Sequence, residues 1–171
     1  MELFILRHGE AGQRTSSIPG DKKRALTSSG KSEIEEIAKA LKILGLKFDL
    51  IATSPLKRAY DTAAIVADIF DISKKVQVWN DLSPESNRTE VFHKISQLKE
   101  EDVVLIVGHQ PMLGEIVNDM IHKGKSSPSN LLLKKGGIVR IRVQKKSNIP
   151  KGELRWVITP RILKNICGKK S

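Results

Sequence analysis

Two uninterrupted apolar runs restrict the fold of this chain more than any other feature of its sequence. They are Leu3–Leu6, near the start, and Val103–Val107. Runs in which every residue is apolar are typical of central strands that are buried on both faces of a parallel sheet. Hydrophobic residues make up 39% of the 171 residues, which is enough to build a core at this size. We therefore expect a sheet that is covered by helices on both faces.

The rest of the chain alternates between helical and strand patterns. Helices are predicted from Thr27 or Ser28 to Gly45, from Pro55 to about Phe70, from a Thr89 cap through Leu98, from Pro111 to about Lys123, and over Arg161–Ile166. Strands are predicted over Glu2–Arg7, Phe48–Thr53, Val76–Trp79, Asp102–Val107, Gly136–Gln144 and Leu154–Thr159. The polar segment Ala11–Leu26 contains proline and glycine and is predicted to be an ordered loop. This order predicts an α/β fold in one domain over residues 1–171, with three α/β/α layers, a mainly parallel central sheet and an antiparallel edge hairpin.

The composition narrows the functional classes. A formal net charge of +11 favours an anionic partner, although basic stretches such as Lys22-Lys23-Arg24 are also typical of a solvated surface. Aromatic residues make up only 4% of the chain, and proteins that bind single-stranded nucleic acid place aromatic rings among their basic residues, so we expect no nucleic-acid partner. The sequence has no apolar stretch of about 18 residues and no signal-like start, and its one cysteine, Cys167, has no partner for an internal disulfide. We therefore expect a cytoplasmic location and no membrane partner.

Ionisable side chains follow three of the predicted strands. Arg7 and His8 end the first strand, Arg58 lies in the first turn of the helix after the second, and His109 lies between Val107 and the next helix. Ligands of open α/β sheets bind at the carboxyl ends of the strands, where helix N-termini also offer free N–H groups to anions. Arginine binds a phosphoryl group through two parallel hydrogen bonds. If the strands are parallel neighbours, these four side chains form a phosphate site.

Other kinds of site fit the sequence poorly. It contains no His-x-x-x-His or Cys-x-x-Cys spacing for zinc, no phosphate-binding Gly-x-x-x-x-Gly-Lys-Ser/Thr loop, and no Gly-x-Ser-x-Gly nucleophile turn. The two other histidines, His93 and His122, fall within or at the end of predicted helices, and we interpret them as ordinary surface residues. The kind of site that remains is an imidazole surrounded by cations that bind phosphate.

These residues resemble a known family. The motifs are Arg7-His8-Gly9-Glu10, Arg24-Ala25-Leu26-Thr27-Ser28-Ser29-Gly30, Ser54-Pro55-Leu56-Lys57-Arg58-Ala59 followed by Thr62, and Gly108-His109. As a set they resemble the histidine phosphatase superfamily, which includes the phosphoglycerate mutases, and are more closely similar to its small branch of SixA-type phosphohistidine phosphatases. The resemblance extends from Met1 to about Pro160 and implies a phosphoglycerate mutase-like fold.

The resemblance also implies a mechanism. His8 would be the nucleophile and would form a covalent phosphohistidine, while Arg7, Arg58 and His109 would hold the phosphoryl oxygens. No metal or other cofactor is implied. Larger relatives use a glutamate as the proton donor, and Glu85 is the candidate for that acid here; otherwise it is a solvated loop carboxylate.

The substrate expected from this resemblance is phosphohistidine on a protein, such as a phosphotransfer domain. Imidazole leaves phosphorus more readily than an alkoxide, because its conjugate acid has a pKa near ~6.5. The intervals around Glu85 are short and leave little chain for a lid, which favours a protein substrate, although Ala11–Leu26 could fold over the site. Two alternatives stay open, together with the oligomeric state: a phosphomonoesterase for small molecules, and a basic module that binds phosphate or nucleic acid without turnover.

Overall fold

A computed structural model describes residues 1–13, 18–122, 131–145 and 149–168. In this part of the chain the strands are β1 (Glu2–Arg7), β2 (Leu50–Thr53), β3 (Val76–Val78), β4 (Val103–Gly108), β5 (Ile138–Lys145) and β6 (Lys151–Ile158). The helices are α1 (Ile18–Lys23), α2 (Ser28–Ile43), α3 (Lys57–Ile69), α4 (Arg88–Gln97), α5 (Met112–His122) and α6 (Pro160–Gly168), with single 3₁₀ turns at Ser73–Lys75 and Asn80–Leu82. None of these helices has the length and apolar character needed to cross a membrane.

The strands form one sheet in the order β3-β2-β4-β1-β5-β6. Strands β1 to β4 pair in parallel, and β5 and β6 add an antiparallel edge pair. The predicted mixed sheet with an antiparallel edge hairpin is therefore confirmed. The register places Arg7 beside Gly108 and Thr53 beside Val107, so β1, β4 and β2 end together at the carboxyl edge of the sheet.

Two apolar cores, one on each face of the sheet, explain the uninterrupted runs. In β1, Leu3 and Ile5 pack in the core that contains residues of α4 and α5. The alternate residues, Phe4 and Leu6, pack in the other core with residues of α2, α3 and α6. Successive side chains of a strand point to opposite faces, so a strand buried on both sides needs apolar residues at every position. The predicted three-layer arrangement is confirmed.

The segment Ala11–Leu26 differs from the prediction. Its sequence predicts a loop, whereas the structure contains the helix α1 within it, and its first and last residues form an isolated antiparallel bridge. A helix of six residues is too short to show a 3.6-residue apolar period, which is why the sequence pattern does not reveal it.

Of the two predicted N-caps, that of α2 is confirmed and that of α4 is wrong. Thr27 caps α2 as predicted, with its hydroxyl accepting a hydrogen bond from the Gly30 N–H at 2.9 Å. The predicted Thr89 cap of α4 is wrong, because the side chain of Asn87 accepts the Thr89 N–H at 2.9 Å and is the N-cap. Asparagine is as good a cap as threonine, so the sequence alone does not separate the two. The predicted helix end at Lys123 and residues 146–148 of the predicted turn lie outside the described residues.

Candidate active site

The carboxyl edge of the sheet brings three chain segments together. The backbone N–H of His8 donates to the Gly108 carbonyl at 3.1 Å, and that of Ser54 donates to the Val107 carbonyl at 3.0 Å. These bonds continue the parallel pairing by one residue beyond the strands. The imidazoles of His8 and His109 consequently lie with ring centroids 5.0 Å apart. These backbone hydrogen bonds show that the three strand ends converge, as the sequence predicts.

His8 is held as a neutral imidazole with one defined tautomer. The side chain is 6% exposed, and its Nδ1 lies 2.7 Å from the Gly9 carbonyl oxygen. A carbonyl only accepts, so Nδ1 carries the hydrogen and Nε2 keeps its lone pair. Burial and, to a smaller extent, the positive charges of nearby arginines lower the pKa of His8 to about 4, against the opposing effect of the Gly9 hydrogen bond. Near neutral pH, Nε2 is therefore an unprotonated nitrogen beside fixed cations.

The loop after β1 is fixed by close packing. The Gly9 N–H donates to Thr62 Oγ1 at 3.1 Å, and that hydroxyl donates to the Arg58 carbonyl at 2.8 Å, which joins the loop to α3. A Cβ on Gly30 would lie 2.1 Å from the Glu10 carbonyl oxygen, so only glycine fits there. These contacts give a physical reason for the glycines and the threonine in the motifs.

His109 is more deeply buried, at 2% exposed. Its Nε2 lies 2.9 Å from the Ser54 hydroxyl, which also accepts the Leu56 N–H at 3.3 Å. Burial, reinforced by His8 and the arginines, lowers the pKa of His109 to about 2. Its Nδ1 is buried and has no hydrogen-bond partner among the described residues. A neutral ring with one unpartnered nitrogen therefore lies beside the ring of His8.

Two arginines share one carboxylate at this site. Arg58 is 4% exposed, donates through Nη1 to the Asp21 carbonyl at 2.9 Å, and places Nη2 3.2 Å from Asp21 Oδ2. Arg24 places its Nε 3.1 Å from Asp21 Oδ1 and donates to the Gly12 carbonyl at 3.1 Å. Helix α1, which carries Asp21, thus ties the segment after β1 to the start of α3.

Arg7 is anchored from the opposite side. Its Nη1 donates to the Leu133 carbonyl at 2.7 Å, while its buried Nε has no partner among the described residues. Burial lowers the pKa of Arg7 from its ordinary value, yet a guanidinium stays charged at neutral pH. Its backbone is fixed as well, because Gly136, at φ +71°, donates its N–H to the carbonyls of Arg7 and His8.

The charges of the site suit a phosphoryl group. Arg7, Arg24 and Arg58 all lie close enough to lower the pKa of His8, and one carboxylate, that of Asp21, pairs with two of them. The two imidazoles are neutral, so an excess of positive charge is left for an anion. Guanidinium groups bind a tetrahedral oxyanion through paired hydrogen bonds, and the orphaned nitrogens of Arg7 and His109 are free to donate.

Comparison with known proteins agrees with this geometry. Residues 3–84 match the model of the histidine phosphatase superfamily (branch 1). A phosphohistidine phosphatase SixA homolog of Haemophilus influenzae is 35% identical over 139 residues, which cover 75% of this chain and 80% of that protein. The chain belongs to the histidine phosphatase superfamily, in its SixA-type branch.

Two further relatives extend the match over nearly the whole chain. The phosphohistidine phosphatase SixA of Escherichia coli is 28% identical over 166 residues, covering 96% of this chain and 97% of that protein. A structure of the protein histidine phosphatase SixA complexed with tungstate superposes with a TM-score of 0.82 at 25% identity, covering 95% of this chain and 99% of the other. As a histidine phosphatase, the protein is a hydrolase of the phosphatase class.

Sequence reasoning misses two members of this phosphatase site. The stretch Lys22-Lys23-Arg24 is typical of a solvated surface, but the Arg24 guanidinium reaches the site and lowers the pKa of both His8 and His109. No sequence pattern singles out Asp21. The available signal is the position of Arg24 two residues before the segment Leu26–Gly30, which packs against the loop after His8.

The other candidate residues lie away from these contacts. Glu85 is exposed, and no hydrogen bond or ion pair among the described residues joins it to the site. His93 and His122 are exposed, as expected of surface residues. Within the described parts of the chain, no three His, Cys, Asp or Glu side chains are grouped as metal ligands would be.

Proposed function

We propose that this phosphatase removes the phosphoryl group from phosphohistidine on a protein substrate, through a covalent phosphohistidine formed on His8. The observation that carries the proposal is the 2.7 Å bond from His8 Nδ1 to the Gly9 carbonyl. It leaves the Nε2 lone pair directed away from its own backbone, in a site where burial and nearby cations keep the ring unprotonated. Such a nitrogen is a competent nucleophile at neutral pH.

The two chemical steps balance without an added cofactor. In the first, the Nε2 lone pair of His8 forms a bond to phosphorus as the bond from phosphorus to the substrate nitrogen breaks. In the second, water attacks phosphorus, inorganic phosphate leaves, and the bonding pair returns to Nε2. The hydrogen on Nδ1 stays bonded to the Gly9 carbonyl throughout, so His8 ends in the tautomer in which it began.

Arg7, Arg24, Arg58 and His109 are proposed to hold the phosphoryl oxygens. The Ser54 hydroxyl accepts from the Leu56 N–H and can donate its own hydrogen to His109 Nε2. In that arrangement the unpartnered Nδ1 of His109 carries a hydrogen and donates it to a phosphoryl oxygen, although the ring is neutral. Donors fixed before the reaction stabilise the charge on phosphorus at no cost of reorganisation.

The leaving group explains why phosphohistidine is preferred over an ester in this proposal. Among the described contacts, Asp21 is the carboxylate that reaches the site, and it already pairs with two guanidiniums. Glu85, the other candidate for a proton donor, is exposed. An alkoxide leaves poorly without a proton donor, whereas a phosphohistidine protonated on its second ring nitrogen leaves as a neutral imidazole. SixA-type relatives carry the name phosphohistidine phosphatase, and a SixA structure is complexed with tungstate, a tetrahedral oxyanion.

A trapping experiment tests the intermediate. The protein is mixed briefly with a phosphotransfer domain phosphorylated on histidine, quenched at alkaline pH, digested and analysed by mass spectrometry. We expect phosphate on His8, and the same result from a His93→Asn variant, in which an exposed histidine is replaced. Phosphate on His109, or rapid turnover by the wild type without phosphate on His8, would contradict the mechanism.

A turnover comparison tests the substrate class. The kcat/KM values for the phosphorylated phosphotransfer domain, for phosphoglycerate and for sugar phosphates are measured under one condition. The proposal expects the protein substrate to have the highest value. A higher kcat/KM on the metabolites would identify a small-molecule phosphomonoesterase, and binding without turnover of any of them would identify a non-catalytic module.

A further inference from the structure

One pocket of the structure is lined by residues that neighbour the phosphate site in the sequence. Its volume is about 460 Å³, and we call it the basic pocket, lined by Lys22, Lys23, Pro55, Lys57 and Tyr60. Tyr60 is 44% exposed, whereas the other aromatic residues of the chain are buried or partly buried. The pocket therefore combines three ammonium groups with an accessible ring and a proline, and no carboxylate lines it.

Chain connectivity places the basic pocket beside the phosphate site. Lys22 and Lys23 come from α1, Pro55 from the turn before α3, and Lys57 and Tyr60 from the first turn of α3. The ion pair between Arg58 and Asp21 joins α1 to α3. Four of the five lining residues are the direct sequence neighbours of residues at the phosphate site. The neighbouring pairs are Lys22 with Asp21, Lys23 with Arg24, Pro55 with Ser54, and Lys57 with Arg58.

Two of the three ammonium groups are not neutralised within the described parts of the protein. Lys57 pairs with Asp61, one turn further along α3. Lys22 and Lys23 are exposed and form no ion pair with any described residue. The carboxylate between them and the phosphate site, that of Asp21, is already occupied by Arg24 and Arg58. The positive charge of the pocket is thus available to an external anion.

We propose that the basic pocket binds carboxylate side chains of the phosphoprotein substrate that lie beside its phosphohistidine. This inference rests on the proposed function, because it assigns the recognition of the protein part of the substrate. The phosphoryl group enters between His8 and the arginines, and acidic residues on the surrounding surface of the partner contact Lys22 and Lys23. Complementary charge of this kind orients the partner and raises the rate of productive encounters.

The shape of the pocket favours an acidic protein over other anions. A single-stranded nucleic acid is held along a continuous basic groove with successive stacking rings, whereas the lining of this pocket offers one ring, that of Tyr60. A doubly phosphorylated metabolite would place two compact charges in the protein, for which buried guanidinium groups suit better than exposed lysines. Exposed ammonium groups around an accessible tyrosine suit a solvated protein surface.

A charge-reversal pair provides the test. Lys22→Glu/Lys23→Glu is compared with Lys74→Glu/Lys75→Glu, which makes the same change in net charge at an exposed pair preceding β3, at the opposite edge of the sheet. For each protein we measure kcat/KM on a phosphotransfer domain phosphorylated on histidine and on p-nitrophenyl phosphate. The ratio of the two is expected to fall about tenfold or more for the first variant and to be unchanged for the second.

A charge swap on the substrate separates recognition from misfolding. The carboxylates beside the phosphohistidine of the phosphotransfer domain are replaced by lysine, and this substrate is expected to restore kcat/KM with Lys22→Glu/Lys23→Glu. An unchanged ratio, or no recovery by the swapped substrate, overturns the docking proposal and leaves the proposed function standing.

If an oligonucleotide competes through Lys22 and Lys23, or the variant loses more on a doubly phosphorylated metabolite, the pocket binds a different ligand and the docking proposal is wrong. Ester turnover by the wild type without release of phosphate from the phosphoprotein rejects the proposed function and the docking proposal together.

Discussion

The phosphate site and the basic pocket are both positively charged, but they hold their charge in opposite ways. At the phosphate site, Arg58 and His109 are buried, and hydrogen bonds and one carboxylate fix them. In the basic pocket, Lys22 and Lys23 are exposed and unpaired with any described residue. Burial makes electrostatic interactions strong and geometrically defined, whereas exposure makes them weak and sensitive to salt. The contrast supports the two proposals, that the first region performs the chemistry and that the second selects the partner.

The largest expected effect is the loss of the nucleophile. His8→Ala should reduce kcat by roughly 10⁴-fold or more on every substrate, because no other group that the described residues bring to the site is placed to form the covalent intermediate. Hydrolysis of p-nitrophenyl phosphate measures this loss, and direct binding of tungstate to the variant is compared with binding to the wild type. Binding should be partly retained, since the arginines are intact. Unchanged hydrolysis by His8→Ala, with His93→Ala as the matched control, would refute the role of this residue.

The next largest effect concerns the buried guanidinium that α1 contacts. Arg58→Ala should lower kcat by about 100- to 1,000-fold on both the phosphoprotein and the chromogenic ester, as is typical when one fixed donor to a transition-state oxyanion is removed. Arg155→Ala, which removes an exposed guanidinium paired with Glu153, is the control and should have no effect. A loss confined to the protein substrate would mean that Arg58 binds the partner protein and takes no part in catalysis. The two regions would then not differ in function as proposed.

Titration of the histidines measures burial directly. The pKa of His8 is lowered from 6.5 to about 4, a change of about 300-fold in proton affinity at ~1.36 kcal/mol per pKa unit. Imidazole C–H shifts in NMR spectra, recorded in phosphate-free buffer, should show His8 and His109 unprotonated at pH 5.5. In Arg58→Ala the pKa of His8 should rise, because a positive neighbour has gone. A value near 6.5 for His8 in the wild type would contradict the neutral nucleophile.

The same shift makes stability depend on pH. Between about pH 4 and 6.5 the unfolded chain binds more protons at His8 than the folded protein, so the free energy of unfolding rises with pH across this range. The stability is therefore present above pH 6.5 and is lost as the pH falls towards 4. Urea denaturation midpoints at pH 7 and pH 5 measure it, and His8→Asn should show a smaller difference between the two.

The parts of the site that depend on strands could be predicted from the sequence. Because the apolar runs of β1 and β4 mark two buried strands, the residues after them, His8 and His109, are expected at one edge of the sheet from the sequence alone. Arg58 is placed there as well, because Pro55 predicts a helix start close to it, and α3 begins at Lys57. These inferences need only local pattern and the parallel order of the strands.

The parts that depend on one long-range contact could not be predicted. Asp21 and Arg58 are separated by 37 positions, and the helix that carries Asp21 has six residues. Neither periodicity nor composition indicates that a short polar helix is held by two guanidiniums. For the same reason the sequence pattern makes Arg24 part of a solvated basic stretch, although its position beside the histidines distinguishes it from Lys22 and Lys23.

The smallest expected effect, a few-fold change, is the salt dependence that separates the two regions in the wild-type protein. Raising the ionic strength from about 50 to 300 mM shortens the Debye length from roughly 14 to 6 Å. Exposed lysines lose much of their attraction for a distant partner, whereas the buried arginines, which we propose contact the phosphoryl group directly, lose less. The kcat/KM on the phosphoprotein should therefore fall a few-fold more than that on p-nitrophenyl phosphate. Lys22→Glu/Lys23→Glu should flatten the difference and Lys74→Glu/Lys75→Glu should preserve it. Equal slopes for both substrates in the wild type would mean that the exposed charges take no part in recognition, and that the phosphate site alone selects the substrate.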